Sequence, residues 1–243
     1  MSVLLLAGTA EARKVAERSS GVDMIASFAG ATVDPADLPV PVRIGGFGGA
    51  EGFREFLADR KITAVLDATH PFASKMTRTA ASVSAAAGLP YCLLLRPPWT
   101  PEPGDRWTRV ACLEEVPSKI PPHAQVFLAT GRQSLAAMSD LRAARILCRV
   151  IDPPLGPFPL PNGAFLQGRP PFSVADEVSL FREHGIDVLV VKNAGGAASR
   201  SKLLAARELG MRVVIVDRPP PPPDAKIVAS VDAALAWLDT VPS

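Results

Sequence analysis

The chain has 243 residues, 48% hydrophobic and 21% charged, which is the composition of one or two folded domains and excludes a disordered segment. A net charge of +2, a single Tyr and 6% aromatic residues provide neither the basic stripe nor the interleaved rings of a nucleic-acid-binding module. Three widely spaced cysteines (Cys92, Cys112, Cys148) and three histidines (His70, His123, His184), with no CxxC or HxxxH, argue against a disulfide framework and a metal site.

The opening MSVLLLAGTAEAR turns polar after a few apolar residues and lacks a basic leader, so 3–8 reads as a first strand and not as a signal peptide. TAEARKVAERSS has helical composition and closes at Gly21. Strands are predicted at 24–28, 41–46, 63–69 and 91–97, with helices at 47–60 and 73–88 between them. The helix at 47–60 carries Phe53, Phe56 and Leu57 at helical spacing, and the one at 73–88 is Ala-rich and ends at Gly88. Residues 97–122 are proline-rich without helical period and read as a linker. Strands follow at 124–131, 144–151, 164–169, 186–196 and 211–219. Helices are predicted over SLAAMSDLRAA, 173–185 and SKLLAARELG, with a loop at 153–163. The prolines at 219–223 read as a rigid spacer before a last amphipathic helix, VDAALAWLD.

Strands separated by single helices imply βαβ units and parallel sheets. Their near-continuous apolar character fits burial on both faces. The expected fold is therefore α/β, two lobes of parallel sheet flanked by helices with an active-site cleft between them. The expected domains are 1–97 and 98–243, with the last helix a candidate to pack back on the first lobe. No apolar run approaches the ~18 residues of a membrane span. A cytoplasmic monomer with no membrane or nucleic-acid partner is expected.

Ligands of open parallel sheets bind at the carboxyl ends of the strands. Those ends here carry GTAEAR (8–13), GGFGG (45–49), THPF (69–72), RPPW (96–99), TGR (130–132) and KNAGG (192–196). GTAEAR is a shortened relative of the dinucleotide fingerprint G-x-G-x-x-G and is weak when taken alone. Gly8 permits a tight turn, Thr9 and the helix N-terminus suit a pyrophosphate, and Arg13 adds a charge. The second strand ends ASFAG, with Ser27 where an NAD site usually has an acid, which favours NADPH. Gly46 and Gly48 allow close backbone approach. His70, beside Pro71, is either a turn residue or a proton donor, while Asp67 suits a structural partner of nearby backbone or hydroxyl groups. No nucleophile elbow or P-loop is present.

In their order, LLLAGTAEAR, GGFGG, LDATHPFASKM, LLLRPPW, LATGRQ, VKNAGG and KLLAARELGMRVVIVDRP resemble the precorrin-6A reductase family of cobalamin (vitamin B12) biosynthesis, over most of the chain to about Pro219. The resemblance implies two Rossmann-like lobes and NADPH as cofactor. It also implies hydride transfer to a C=C bond of precorrin-6A, giving precorrin-6B. Gly8, Thr9, Arg13, Ser27, Gly46, Gly48 and Thr69 are then the candidate cofactor contacts. Arg96, Arg132, Lys192, Asn193, Arg200 and Lys202 become candidates for the many carboxylates of a tetrapyrrole substrate, with Arg169 a further cation. His70 is the candidate for positioning or for donating the proton. The alternatives are a cobalt-precorrin-6A reductase of the anaerobic pathway and a non-catalytic dinucleotide-binding protein.

Overall fold

The run SVLLL forms strand β1 (Ser2–Leu6) in the computed structural model, which describes residues 1–30, 38–153, 156–197 and 199–242. Side chains of a strand alternate between faces, and both faces of β1 are buried. Val3 and Leu5 join a core cluster with Ala12, Val15 and Ala16 of helix α1 (Ala10–Arg18). Leu4 and Leu6 join another with Phe53 and Leu57 of α2 (Ala50–Asp59) and Ala80 and Val83 of α3 (Ser74–Ala86). Strands β2 (Asp23–Phe28), β3 (Val42–Ile44), β4 (Ala64–Asp67) and β5 (Tyr91–Leu94) continue this sheet. In α2, Gly52 is obligatory: a Cβ there would stand 1.9 Å from the Phe47 carbonyl oxygen.

A second sheet follows. Its strands are β6 (Arg106–Val110), β7 (Gln125–Ala129), β8 (Arg145–Val150), β9 (Gly163–Gln167), β10 (Val188–Lys192) and β11 (Arg212–Val216). Helices α4 (Val174–Glu183) and α5 (Ser201–Glu208) cover one face through Val178, Phe181, Leu203 and Ala206. The chain then returns to the first sheet with β12 (Lys226–Val228), which pairs with β5, and α6 (Val231–Leu238), whose Ala234 and Leu238 complete the α1 side of the core.

Both sheets are six-stranded and parallel, in the orders β12-β5-β4-β1-β2-β3 and β6-β11-β10-β7-β8-β9. Five strands of each follow the same order once β7–β11 are read for β1–β5; the sixth, beside β5 or β11, is the late β12 in one sheet and the early β6 in the other. In each, the first-formed pairings run one way and the fourth strand is added on the other side of the first. The loops leaving those two strands diverge to opposite faces, and a crevice opens at that switch point.

The expected α/β class of parallel sheets is what the chain adopts. It forms two compact units, Met1–Pro97 with Pro219–Ser243, and Pro98–Arg218. Residues 219–243, read with the second lobe, therefore cluster with the first, because β12 extends its sheet and α6 fills its core. The 97–122 linker contains β6 and a 3₁₀ stretch, Leu113–Lys119. SLAAMSDLRAA is not α-helical. Leu135, Met138 and Leu141 are buried at intervals of three, and i→i+3 bonds such as Met138 N to Leu135 O make it a chain of 3₁₀ turns. The loop read at 153–163 includes residues 154 and 155, which lie outside the described residues.

Candidate functional site

The switch point of the first sheet lies between the turn after β1 and the corner after β4. Gly8 makes the first turn with φ +134°, and a Cβ placed there would meet no atom within 4 Å. Thr9 caps α1: its hydroxyl accepts from the Ala12 amide at 3.1 Å and donates to the Ala68 carbonyl oxygen at 2.7 Å. The hydroxyl proton and the Ala12 amide are thereby engaged, so the donors left for an anion are the Ala10 and Glu11 amides that open α1. The Arg13 side chain, half-buried in that turn, makes no hydrogen bond or ion pair with the described residues, while its amide donates to the Thr9 carbonyl oxygen at 3.3 Å. Glu11 pairs with Arg96 at 2.7 Å, linking the start of α1 to the chain beyond β5.

The corner after β4 is built on a buried carboxylate. Asp67 accepts from the Thr69 amide at 3.0 Å and from the Tyr91 hydroxyl at 2.9 Å, and is fully buried. Burial first, and the Asp67 charge second, push the Tyr91 phenol far above its usual value, so it stays a donor. The reading of Asp67 as a partner of backbone and hydroxyl groups describes this arrangement. The Thr69 hydroxyl lies 3.4 Å from that of Thr77 in α3. His70 is exposed, and its Nδ1 accepts from the Phe72 amide at 3.2 Å, which leaves the proton of the neutral ring on Nε2. A shallow pocket at this corner is lined by Thr69, His70, Ser74, Thr77 and Arg78, together with Pro219, Pro220, Pro221 and Pro222. The proline run thus borders the corner that carries His70.

At the neighbouring strand ends, Ser27 is buried on β2 and Arg43 is its register partner on β3. Arg43 Nη1 donates to Ser27 Oγ at 3.3 Å and to the Gly45 carbonyl, and Nη2 donates to the Gly46 carbonyl at 2.6 Å. Gly46 and Gly48 lie in the exposed turn beyond. Helix-terminal amides, an open glycine turn, and a hydroxyl beside a cation match the anionic groups of a phosphorylated dinucleotide.

In the second unit the corresponding ends carry Thr130–Gly131–Arg132 and Lys192–Asn193. Arg132 is exposed, with no ion pair to a described residue. Burial pushes the Lys192 and Lys202 amines down, and Lys202 donates to the Ser199 carbonyl at 2.8 Å. Three candidates are committed to the fold. Both ends of the Asn193 amide bond the Trp99 backbone, Oδ1 to the amide at 2.8 Å and Nδ2 to the carbonyl at 3.1 Å. Arg200 pairs with Glu102, and Arg96 with Glu11. Arg169 is mostly exposed and lies 4.0 Å from Asp152.

Sequence reasoning passed over Glu11, Arg43 and Tyr91. It also missed Arg149, which pairs bidentately with the buried Glu177 between Phe127 and Phe172. Glu11 lies within GTAEAR, and Arg43, Tyr91 and Arg149 lie outside the strand-end motifs; each is recognised only by its partner. Burial pushes Cys92 and Cys148 up to about 12, which removes both as nucleophiles near neutral pH. Among the described residues no metal-binding group of three His, Cys, Asp or Glu is found, and no helix is long and apolar enough to cross a membrane.

The family model described as "Precorrin-6x reductase CbiJ/CobK" matches residues 2–239. The chain is 46% identical over 244 residues to the precorrin-6A reductase of Rhodococcus erythropolis, covering 98% of each. A solved structure titled CobK precorrin-6A reductase matches with a TM-score of 0.94 at 40% identity, over 100% of this chain and 98% of that one. The cobalt-precorrin-6A reductase of Priestia megaterium is 30% identical over 235 residues, covering 89% of this chain and 90% of that protein. With the family model spanning residues 2–239 and the relatives and solved structure matching over nearly the whole length, the chain belongs to the precorrin-6x reductase family CbiJ/CobK, oxidoreductases of cobalamin biosynthesis.

Proposed function

We propose that this chain reduces precorrin-6A to precorrin-6B with NADPH, adding a hydride and a proton across one C=C bond of the macrocycle. The observation that carries the reading is the likeness to a solved precorrin-6A reductase over the entire chain. The choice of NADPH is supported by the carboxyl end of β2, where Ser27 occupies the place that an acid takes in NAD sites.

The bound nicotinamide supplies the hydride. The chain's own residues position and stabilise. The Gly8 turn and the α1 N-terminus receive the pyrophosphate, and Thr9 locks that turn to Ala68. The Asp67–Tyr91 pair fixes the Thr69–His70 corner, where His70 Nε2–H faces the task of orienting the macrocycle or delivering the proton. In the second unit Arg132 and Lys192 are the cations we assign to substrate carboxylates. Desolvation of Lys192 makes its pairing with an anion more favourable. Arg96, Asn193 and Arg200 drop out of the substrate set because their partners already hold them.

We place the reaction in the cytoplasm, in keeping with three free cysteines. The test is oxidation of NADPH and of NADH by the purified protein with metal-free precorrin-6A. Rapid turnover with NADPH and precorrin-6B as product is expected. No turnover of the metal-free macrocycle, with turnover of its cobalt form, would move the chain to the cobalt-dependent branch.

A further inference from the structure

We propose that Arg43 reads the 2′-phosphate of the dinucleotide and sets the preference for NADPH over NADH; this rests on the NADPH reading above. Three observations carry it.

The first is position. β3 pairs in parallel with β2, with Ser27 opposite Arg43, so the guanidinium stands at the carboxyl end of β2. In this strand order the adenosine ribose of a dinucleotide lies at that end, and the residue there faces its 2′ position.

The second is orientation. The guanidinium is held by Ser27 Oγ at 3.3 Å and by the Gly45 and Gly46 carbonyls at 2.5 and 2.6 Å. It also lies over the Phe47 ring at 4.0 Å and near the Phe56 ring at 5.2 Å. A long side chain fixed in this way loses little rotamer freedom when an anion arrives.

The third is charge. Every acceptor on Arg43 is neutral, and no carboxylate among the described residues pairs with it. Its five N–H groups make three bonds to described residues, which leaves Nε–H and one Nη2–H for phosphate oxygens. Several other arginines are spent on acids: Arg96 on Glu11, Arg149 on Glu177, Arg207 on Asp105. Arg43 is instead held in place with its charge uncompensated.

The competing account is that Arg43 serves only to hold the glycine turn. Calorimetric titration of the full-length protein with NADP⁺, NAD⁺, 2′,5′-ADP and 5′-AMP separates the two, because it reads binding apart from turnover. For Arg43→Ala the affinity for NADP⁺ and 2′,5′-ADP should fall by about 10- to 100-fold, with NAD⁺ and 5′-AMP changed by less than about threefold. Arg43→Lys should recover part of the loss. The steeper salt dependence of NADP⁺ binding should flatten to that of NAD⁺ in the Ala variant. Equal weakening of all four ligands would assign Arg43 to the turn alone and overturn the proposal. A wild-type preference for NADP⁺ that survives Arg43→Ala would also overturn it while leaving the NADPH reading intact. Wild-type protein with no preference for NADP⁺ would defeat both.

Discussion

The Thr9 hydroxyl donates to the Ala68 carbonyl oxygen at 2.7 Å while accepting from the Ala12 amide at 3.1 Å. One side chain therefore caps α1 and seams the turn after β1 to the corner after β4. Thr9→Val removes both bonds at nearly constant volume. It should lower unfolding stability by about 1–2 kcal/mol, the usual cost of an N-cap, and weaken dinucleotide binding. Thr9→Ser should stay near wild type in urea unfolding. A Val variant as stable as wild type would show that the seam contributes nothing.

His70 is exposed and bound through Nδ1 to the Phe72 amide. If it positions the macrocycle, His70→Ala should reduce kcat less than about tenfold and leave the pH profile of kcat unshifted. A loss of ~10²-fold or more, with one limb of that profile removed, would assign it general-acid chemistry.

Tyr91→Phe deletes the phenolic donor on buried Asp67 and leaves that carboxylate with one bond fewer. The expected cost is about 1–3 kcal/mol of stability, measured by chemical denaturation. KM for the macrocycle should rise more than kcat falls, since the corner is loosened and no reacting group is lost.

In the second unit, hydrogen bonds from Arg200 and then Arg207 hold the Glu102 carboxyl below its usual value. Burial works to raise Asp105, but bonds from Arg207 and the Glu102 amide outweigh it and bring it down. The unfolded chain, with acids near ~4, therefore binds more protons than the folded one just below that pH. The stabilisation is complete above the unfolded values and is lost as the pH falls through the lowered native ones. Urea midpoints should thus drop between roughly pH 5 and pH 2 in the wild type, and Arg207→Ala should show a shallower drop. Equal slopes would remove this cluster as the source.

Central strands were legible in the sequence, as were the edge strands β3 and β9, while the other two edge strands, β6 and β12, were not. VLLLAG and DVLVVK are buried on both faces and read as continuous apolar runs. β6 and β12 lie at the outer edges of their sheets and are largely exposed, and so carry no such pattern. The same physics governs the site. Gly8, Thr9 and His70 announce themselves by following apolar strands. Arg43 and Tyr91 act through partners 16 and 24 residues away, and no local spacing encodes those pairs. Arg96 and Asn193 show the complementary case: a basic or amide residue at a strand end has the chemistry of a ligand contact, while its intramolecular partner, Glu11 or Trp99, lies 85 or 94 residues away and is not encoded locally.

The return of β12 and α6 to the first sheet sets a timetable for synthesis. When Pro97 is made, the α1 face of that sheet still lacks Ala234 and Leu238, and about 120 residues of the second unit must follow first. At 5–20 residues per second that interval lasts on the order of ten seconds. For that time the nascent chain carries an exposed apolar face beside an unpaired β5 edge, the kind of surface that chaperones bind and that aggregates when they do not.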